Sequence, residues 1–316
     1  MFIKISALYF SLLCIISIGC QLDGAKKLLS ELDDHNTELD STYYLSHSDT
    51  SEYNFSYPDY TFVLDKELIE ISGLTYVHNK NRLLAVGDEI GYYYEIGIND
   101  GVIKNKHKFN GHGDYEALEY VGSDVIVVKS SGNIYIKSPN DKESKVIKTE
   151  LSRKNNVEGM AYLPTDSTLL IACKGNPYID KKNDKDIKTI YSFSLSDGKL
   201  NTKPYLVIDI KYLKSYMEEN LKAKYQNVKK KVKNRIEDFS PSGIAIHPTT
   251  KDIYIISARG SSLIVYDNNG KLQDIVMLNS ITIPQPEGIA FDRDHNLYIS
   301  TEGQGNSGKI FKFLSQ

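Results

Sequence analysis

At 316 residues the chain has room for one large domain or two ordinary ones. Hydrophobic residues make up 41% and charged residues 25%, an ordinary soluble composition, and a formal net charge of -3 excludes a general attraction to nucleic acid or to an anionic membrane surface. There are 23 Tyr and no Trp; Tyr suits strands and needs a polar partner for its hydroxyl, so a sheet-rich protein fits.

Residues 1–20, "MFIKISALYFSLLCIISIGC", carry an early Lys4, an uncharged apolar run and a closing Gly19-Cys20. The pattern is that of a secretion signal; a membrane-spanning helix is the rival, but the apolar run is short and lacks a basic stop-transfer flank. The end of the segment resembles a bacterial lipoprotein signal, which implies lipidation of Cys20 and a bacterial envelope location, with the lipid anchor making the membrane a partner. Cys14 leaves with the signal, so Cys173 is left without a disulfide partner. Residues 21–54 are polar and read as a flexible tether, and residues 55–316 as the folded domain.

Five similar segments follow in chain order. They are "ISGLTYVHNKNRLLAVGDEIGYYYEI", "YEALEYVGSDVIVVKSSGNIYIK", "VEGMAYLPTDSTLLIACKG", "PSGIAIHPTTKDIYIISARGSSLIVYD" and "PEGIAFDRDHNLYISTEGQGNSGKIFKF". Each alternates in strand rhythm between Asn, Asp, Gly and Pro turns, at the spacing of propeller blades. The sequence therefore predicts an all-β propeller of five blades with four strands each, closed by the N-terminal strand "DYTFVLD"; six blades is the alternative count. Between the third and fourth segments, residues 211–239 carry Leu213, Met217, Leu221, Tyr225, Val228, Val232 and Ile236 at helical spacing, which predicts one inserted amphipathic helix. Its second half, "KAKYQNVKKKVKNR", is strongly basic. Packing on the propeller accounts for its apolar stripe, and docking of a partner is the functional alternative.

The repeated "(E/S)G(L/I/M)AY" steps, the insert before "PSGIAIHP" and the closing "PEGIAFDRDHNLYISTEG" resemble the SdiA-regulated (YjiK-like) family. The resemblance implies a β-propeller that is exported or lipid-anchored in bacteria, and it implies no particular reaction.

The second residue of each segment falls where an innermost strand opens onto the central channel: Ser72, Glu116, Glu158, Ser242 and Glu287. The ends of the second strands supply another ring, Asp88, Lys129, Lys174, Arg259 and Glu302. Carboxylates that accept backbone N–H groups and are neutralised by Lys174 or Arg259 would be structural pegs. Alternatively, Glu116, Glu158 and Glu287 would hold calcium, which takes oxygen ligands, although Lys129, Lys174 and Arg259 share their layer. Nothing in the spacing of His and Cys suggests zinc, and no Gly-x-Ser-x-Gly elbow offers a nucleophile. His112, Asp114 and Glu116 are candidates for acid–base work, whereas His247 in "IHPTT" reads as a turn residue. The reading favoured by the sequence is a binding module for a small molecule, glycan or envelope protein, with no nucleic-acid partner. The alternative is a calcium-assisted hydrolase of phosphate esters or lactones at the channel mouth.

Overall fold

Residues 42–44, 52–180, 183–221 and 223–316 are described by the computed structural model. The leader, Cys20 and most of the tether lie outside them. No helix among the described residues is long and apolar enough to cross a membrane.

The chain is an all-β propeller of five blades. Blade one comprises Ile71–Val77, Arg82–Gly87, Ile90–Gly97 and Ile103–His112, running from the axis outwards. The innermost strands of the other four are Tyr115–Val121, Val157–Leu163, Gly243–Ile246 and Pro286–Phe291. Every pairing within a blade is antiparallel.

Alternation explains how the blades stack. In the second strand of blade one, Leu83 and Ala85 pack towards blade five, while Leu84 and Val86 pack towards blade two. In blade three, Leu169, Ile171 and Cys173 face blade two, and Leu170 and Ala172 face blade four. Successive residues therefore serve two different cores, and these strands are buried on both faces rather than one. Five apolar clusters result, one at each interface between neighbouring blades.

Three features differ from the sequence expectation. First, the ring is not closed by hydrogen bonds. The five sheets are separate, and Tyr60–Val63 adds to Lys309–Phe313 as the outer strand of blade five rather than sealing the ring. Closure comes from side-chain packing because hydrogen bonds within each blade run radially, whereas neighbouring blades meet face to face. Second, not every blade has four strands. Blade three carries both Lys199–Leu200 and Leu206–Asp209 on its third strand, and Tyr43–Tyr44 extends blade four.

Third, the insert holds two helices, α1 (Ile210–Asn220) and α2 (Lys229–Glu237), joined by a 3-10 turn. Asp209 caps α1 by accepting from the Lys211 N–H at 2.8 Å. Lys214 pairs with Glu237 at 3.0 Å and Glu218 with Lys233 at 3.9 Å, a register that requires an antiparallel hairpin. One straight helix over the insert would run roughly 40 Å and carry half its apolar stripe past the blades. Folding back at Leu221 buries Leu213, Met217, Val232 and Ile236 together in the interface of blades three and four.

Candidate functional site at the propeller mouth

The opening of the innermost strands has an irregularity that the sequence does not reveal. Ile71 pairs with Gly87 and Gly73 with Val86, which leaves Ser72 as an extra residue in a β-bulge. The same register shift isolates Glu116, Glu158 and Glu287 in blades two, three and five. A bulge withdraws its extra residue from the ladder and re-aims the side chain. In every blade but the second a glycine follows and permits close packing of neighbouring blades: a Cβ on Gly73 would lie 2.7 Å from the Ala117 Cα, and one on Gly243 would lie 2.4 Å from the Glu287 carbonyl oxygen. Ser242, in blade four, has become a tie between blades. Its hydroxyl donates to the Pro286 carbonyl at 2.5 Å and accepts from the Ala258 N–H at 3.0 Å.

The second ring does not neutralise the first as a peg reading requires. Lys174 pairs with Glu158 at 3.2 Å, and Asn156 donates to the same carboxylate oxygen at 2.5 Å. Lys129 instead lies over the rings of Tyr115 and Tyr135, 5.0 and 5.9 Å from their centroids. Arg259 is exposed and lines a different cavity, beside the helical hairpin. Glu116 and Glu287 have no ion-pair partner among the described residues. Of the predicted bases, only Lys174 serves the mouth.

The electrostatics follow. Burial, then the charges of Glu158 and Asp114, push the Glu116 carboxyl well above the usual range, and Asp114 also hydrogen-bonds to it. Burial and Glu158 push Glu287 up to about 9, against the opposing pull of Lys174. Glu158 is itself raised by burial, despite its bonds to Lys174 and Asn156. The acidic field continues around the ring: burial and Glu70 raise Glu302, and burial, Glu70 and Glu89 raise Asp88. Burial pulls the Lys174 ammonium down, but Glu158, Glu287 and Glu116 together leave it above its ordinary value. One Asp88 oxygen, Oδ1, is buried without a hydrogen-bond partner. An orphaned carboxylate oxygen of this kind calls for a water or an ion. The ligands on offer are all hard oxygens, the set that suits calcium or magnesium.

A second group of residues converges more closely. Glu52, His247 and His295 offer ligand atoms that all lie within 4.8 Å of one another, a set able to hold a metal ion, and among the described residues it alone meets that spacing. The three mouth glutamates therefore do not converge as tightly as direct ligation by all of them would need. In the Glu52 group, the Thr250 N–H donates to His247 Nδ1 at 3.1 Å, so Nε2 carries the proton of the neutral ring and donates to Glu52 Oε1 at 3.3 Å. Ser315 donates to the same Glu52 oxygen at 2.9 Å, and Thr249 bonds to His295 at 2.8 Å. As bonded here, the group knits both ends of the domain together; ligation through His247 would require the other tautomer. Sequence reading misses it because Glu52 falls in the apparent tether, far along the chain from a histidine that looks like a turn residue.

His247 also borders the opposite mouth, where the far ends of all five innermost strands line a cavity of about 330 Å3. There Glu119 accepts from Thr75 Oγ1 at 2.8 Å and from the Tyr162 N–H at 3.2 Å, bracing three blades, and burial pushes its carboxyl up to about 7. His112 lies near the acidic mouth in sequence and is exposed.

Residues 52–305 match the SdiA-regulated family. The chain belongs to that family. No curated protein matches the sequence. Among solved structures, the propeller is similar to a gluconolactonase from Xanthomonas campestris, at 12% identity and a TM-score of 0.48, over 77% of this chain and 72% of that one. It is also similar to a PQQ-bound aldose sugar dehydrogenase from Streptomyces coelicolor, at 11% identity and a TM-score of 0.49, over 82% and 97%. A luciferin-regenerating enzyme gives 12% and 0.46, over 82% and 95%. At such identities and scores the likenesses carry no chemistry to this member of the SdiA-regulated family.

Proposed function

We propose that this protein is a calcium-assisted hydrolase of phosphate esters or lactones whose centre is the acidic mouth. The observation that carries the proposal is the set of three bulge carboxyls, Glu116, Glu158 and Glu287, served by one lysine. A binding module with purely structural acids would have them paired with bases, and only Glu158 is. Glu116, Glu158 and Glu287 would hold the cation, partly through water, with Asp88 supplying a further oxygen. When bound, calcium would polarise a phosphoryl or carbonyl oxygen and make a bound water more acidic.

The chain's own residues would supply the rest. Lys174 would orient the Glu158 carboxyl, 3.2 Å away. Asp114, hydrogen-bonded to Glu116, would orient that carboxyl towards the cation. The leader sequence adds the proposal that the domain works in the bacterial envelope on a lipid attached to Cys20; in that case a Cys20→Ser variant would lose incorporation of labelled palmitate.

The first experiment is calcium titration calorimetry on metal-stripped protein, followed by a screen of p-nitrophenyl phosphate and a δ-lactone. Stoichiometric binding, weakened at least tenfold by Glu287→Gln, is expected, together with calcium-dependent turnover of one substrate. An absence of heat, with the melting temperature indifferent to calcium, would sink the proposal.

A further inference from the structure

Beside the mouth, the helical hairpin, the start of the third strand of blade three and the turn at Arg259 enclose a cavity of about 440 Å3. Its acidic groups are largely occupied. Glu237 pairs with Lys214 at 3.0 Å, and Asp186 pairs with Lys211 at 3.4 Å. Asp238 also lines the cavity, at the C-terminal end of α2.

Of the four cations that line it, Lys185, Lys188 and Arg259 have no carboxylate partner among the described residues, and Lys185 is exposed at the rim. The Lys188 ammonium donates to the Lys174 carbonyl at 2.8 Å and has no carboxylate partner among the described residues. The charged neighbours that act on it, Arg259 and Lys174, are both positive and, after burial, lower its pKa further. The Arg259 guanidinium makes no hydrogen bond or ion pair with any described residue. A part-buried ammonium next to an unengaged guanidinium is an unfavourable arrangement that an oxyanion relieves, and a guanidinium fork matches phosphate geometry.

We infer that this cavity binds a phosphate group through Lys188 and Arg259. The site stands on those residues alone. It adjoins the acidic mouth through Lys174, whose carbonyl is held by Lys188 and by Ser240 Oγ at 3.3 Å while its ammonium holds Glu158. If the hydrolase proposal above holds, the two sites together select a phosphorylated substrate. The phosphate would rest on Lys188 and Arg259, and the bond to be cleaved would lie over the carboxyls.

The test is calorimetric titration of inorganic phosphate into the full chain at low ionic strength, with and without calcium. Arg259→Ala and Lys188→Met should each weaken phosphate binding at least tenfold, and Arg259→Ala should leave calcium binding unchanged. Lys188→Arg should retain most of the affinity, and Glu287→Gln should weaken calcium binding while sparing phosphate. Melting curves of the variants report folding, and Arg259, being exposed, can be removed without opening a core. No phosphate binding by the wild type, or equal binding by Arg259→Ala and Lys188→Met, overturns the inference. Phosphate binding that responds to these variants in a protein indifferent to calcium would uphold this site and refute the hydrolase reading.

Discussion

Glu287 carries the chemistry of the mouth in a single side chain. Its folded-state pKa of about 9 lies far above the 4.5 of a free carboxyl, so the fold prefers the protonated acid. The contribution to stability is fully present below the unfolded value and is lost as pH rises towards 9. Without calcium, Glu287→Gln should therefore melt no lower than wild type at pH 8 and should flatten the decline between pH 5 and pH 9. Calcium should raise the wild-type melting temperature at pH 8 and do so much less at pH 5, where protons occupy the carboxyls; equal shifts at both pH values would contradict a carboxylate site. Cys173 makes the opposite case. It is free and wholly buried, and burial pushes its thiol up to about 12. Ellman's reagent at pH 8 should label it only at the rate at which the protein unfolds.

The helical hairpin is held as well as packed. Arg235 on α2 donates to the Gly260 carbonyl at 2.9 Å and to the Leu278 carbonyl at 2.5 Å, and it also bonds to Ser261. Arg235→Ala should cost roughly 2–3 kcal/mol. It should also expose the 3-10 turn between α1 and α2 to proteases before the blades unfold; global unfolding with no earlier cleavage would show that the apolar stripe holds the hairpin alone. At this scale the sequence is readable in some respects and silent in others. The apolar spacing from Leu213 to Ile236 announces helix, but neither Gly nor Pro marks the fold-back at Leu221, which follows from the depth of the interface it fills. The recurring Glu or Ser at the second position of each segment marks the mouth because the blades place it alike. The bulge that aims the glutamate is a property of pairing with the next strand, so no single strand's sequence displays it. The surroundings of Lys129 and Arg259 are hidden for the same reason. Matched positions suggest a shared layer, but Lys129 turns to Tyr115 and Tyr135, and Arg259 to the hairpin.

For the whole molecule, closure by apolar faces makes each interface a necessary contributor. Tyr53 lies in the interface of blades four and five, its ring 6.1 Å from Phe291 and its hydroxyl 2.7 Å from the His295 carbonyl. Tyr53→Ala should cost roughly 3–5 kcal/mol and lower the single melting transition rather than split it; two transitions would mean that the blades unfold independently. The pH optimum is also a property of the whole ring. Glu119, pushed up to about 7, and the mouth acids favour the fold on the acid side. His78 and His247, both lowered chiefly by burial, oppose them as pH falls below the ordinary 6.5. Stability without cations should therefore peak near pH 5–6, and a maximum above pH 8 would contradict the raised acids.

The bulges also bear on how such a ring can diversify. A bulged residue belongs to neither the ladder nor the apolar clusters, so exchanging it leaves both faces of its blade as they were. Four blades present such a position, and serine already stands at one of them, Ser72, where the other three carry glutamate. Propellers of this build can thus trade the reactivity of the mouth one blade at a time while the scaffold stays constant, and relatives with the same architecture need not handle the same molecule.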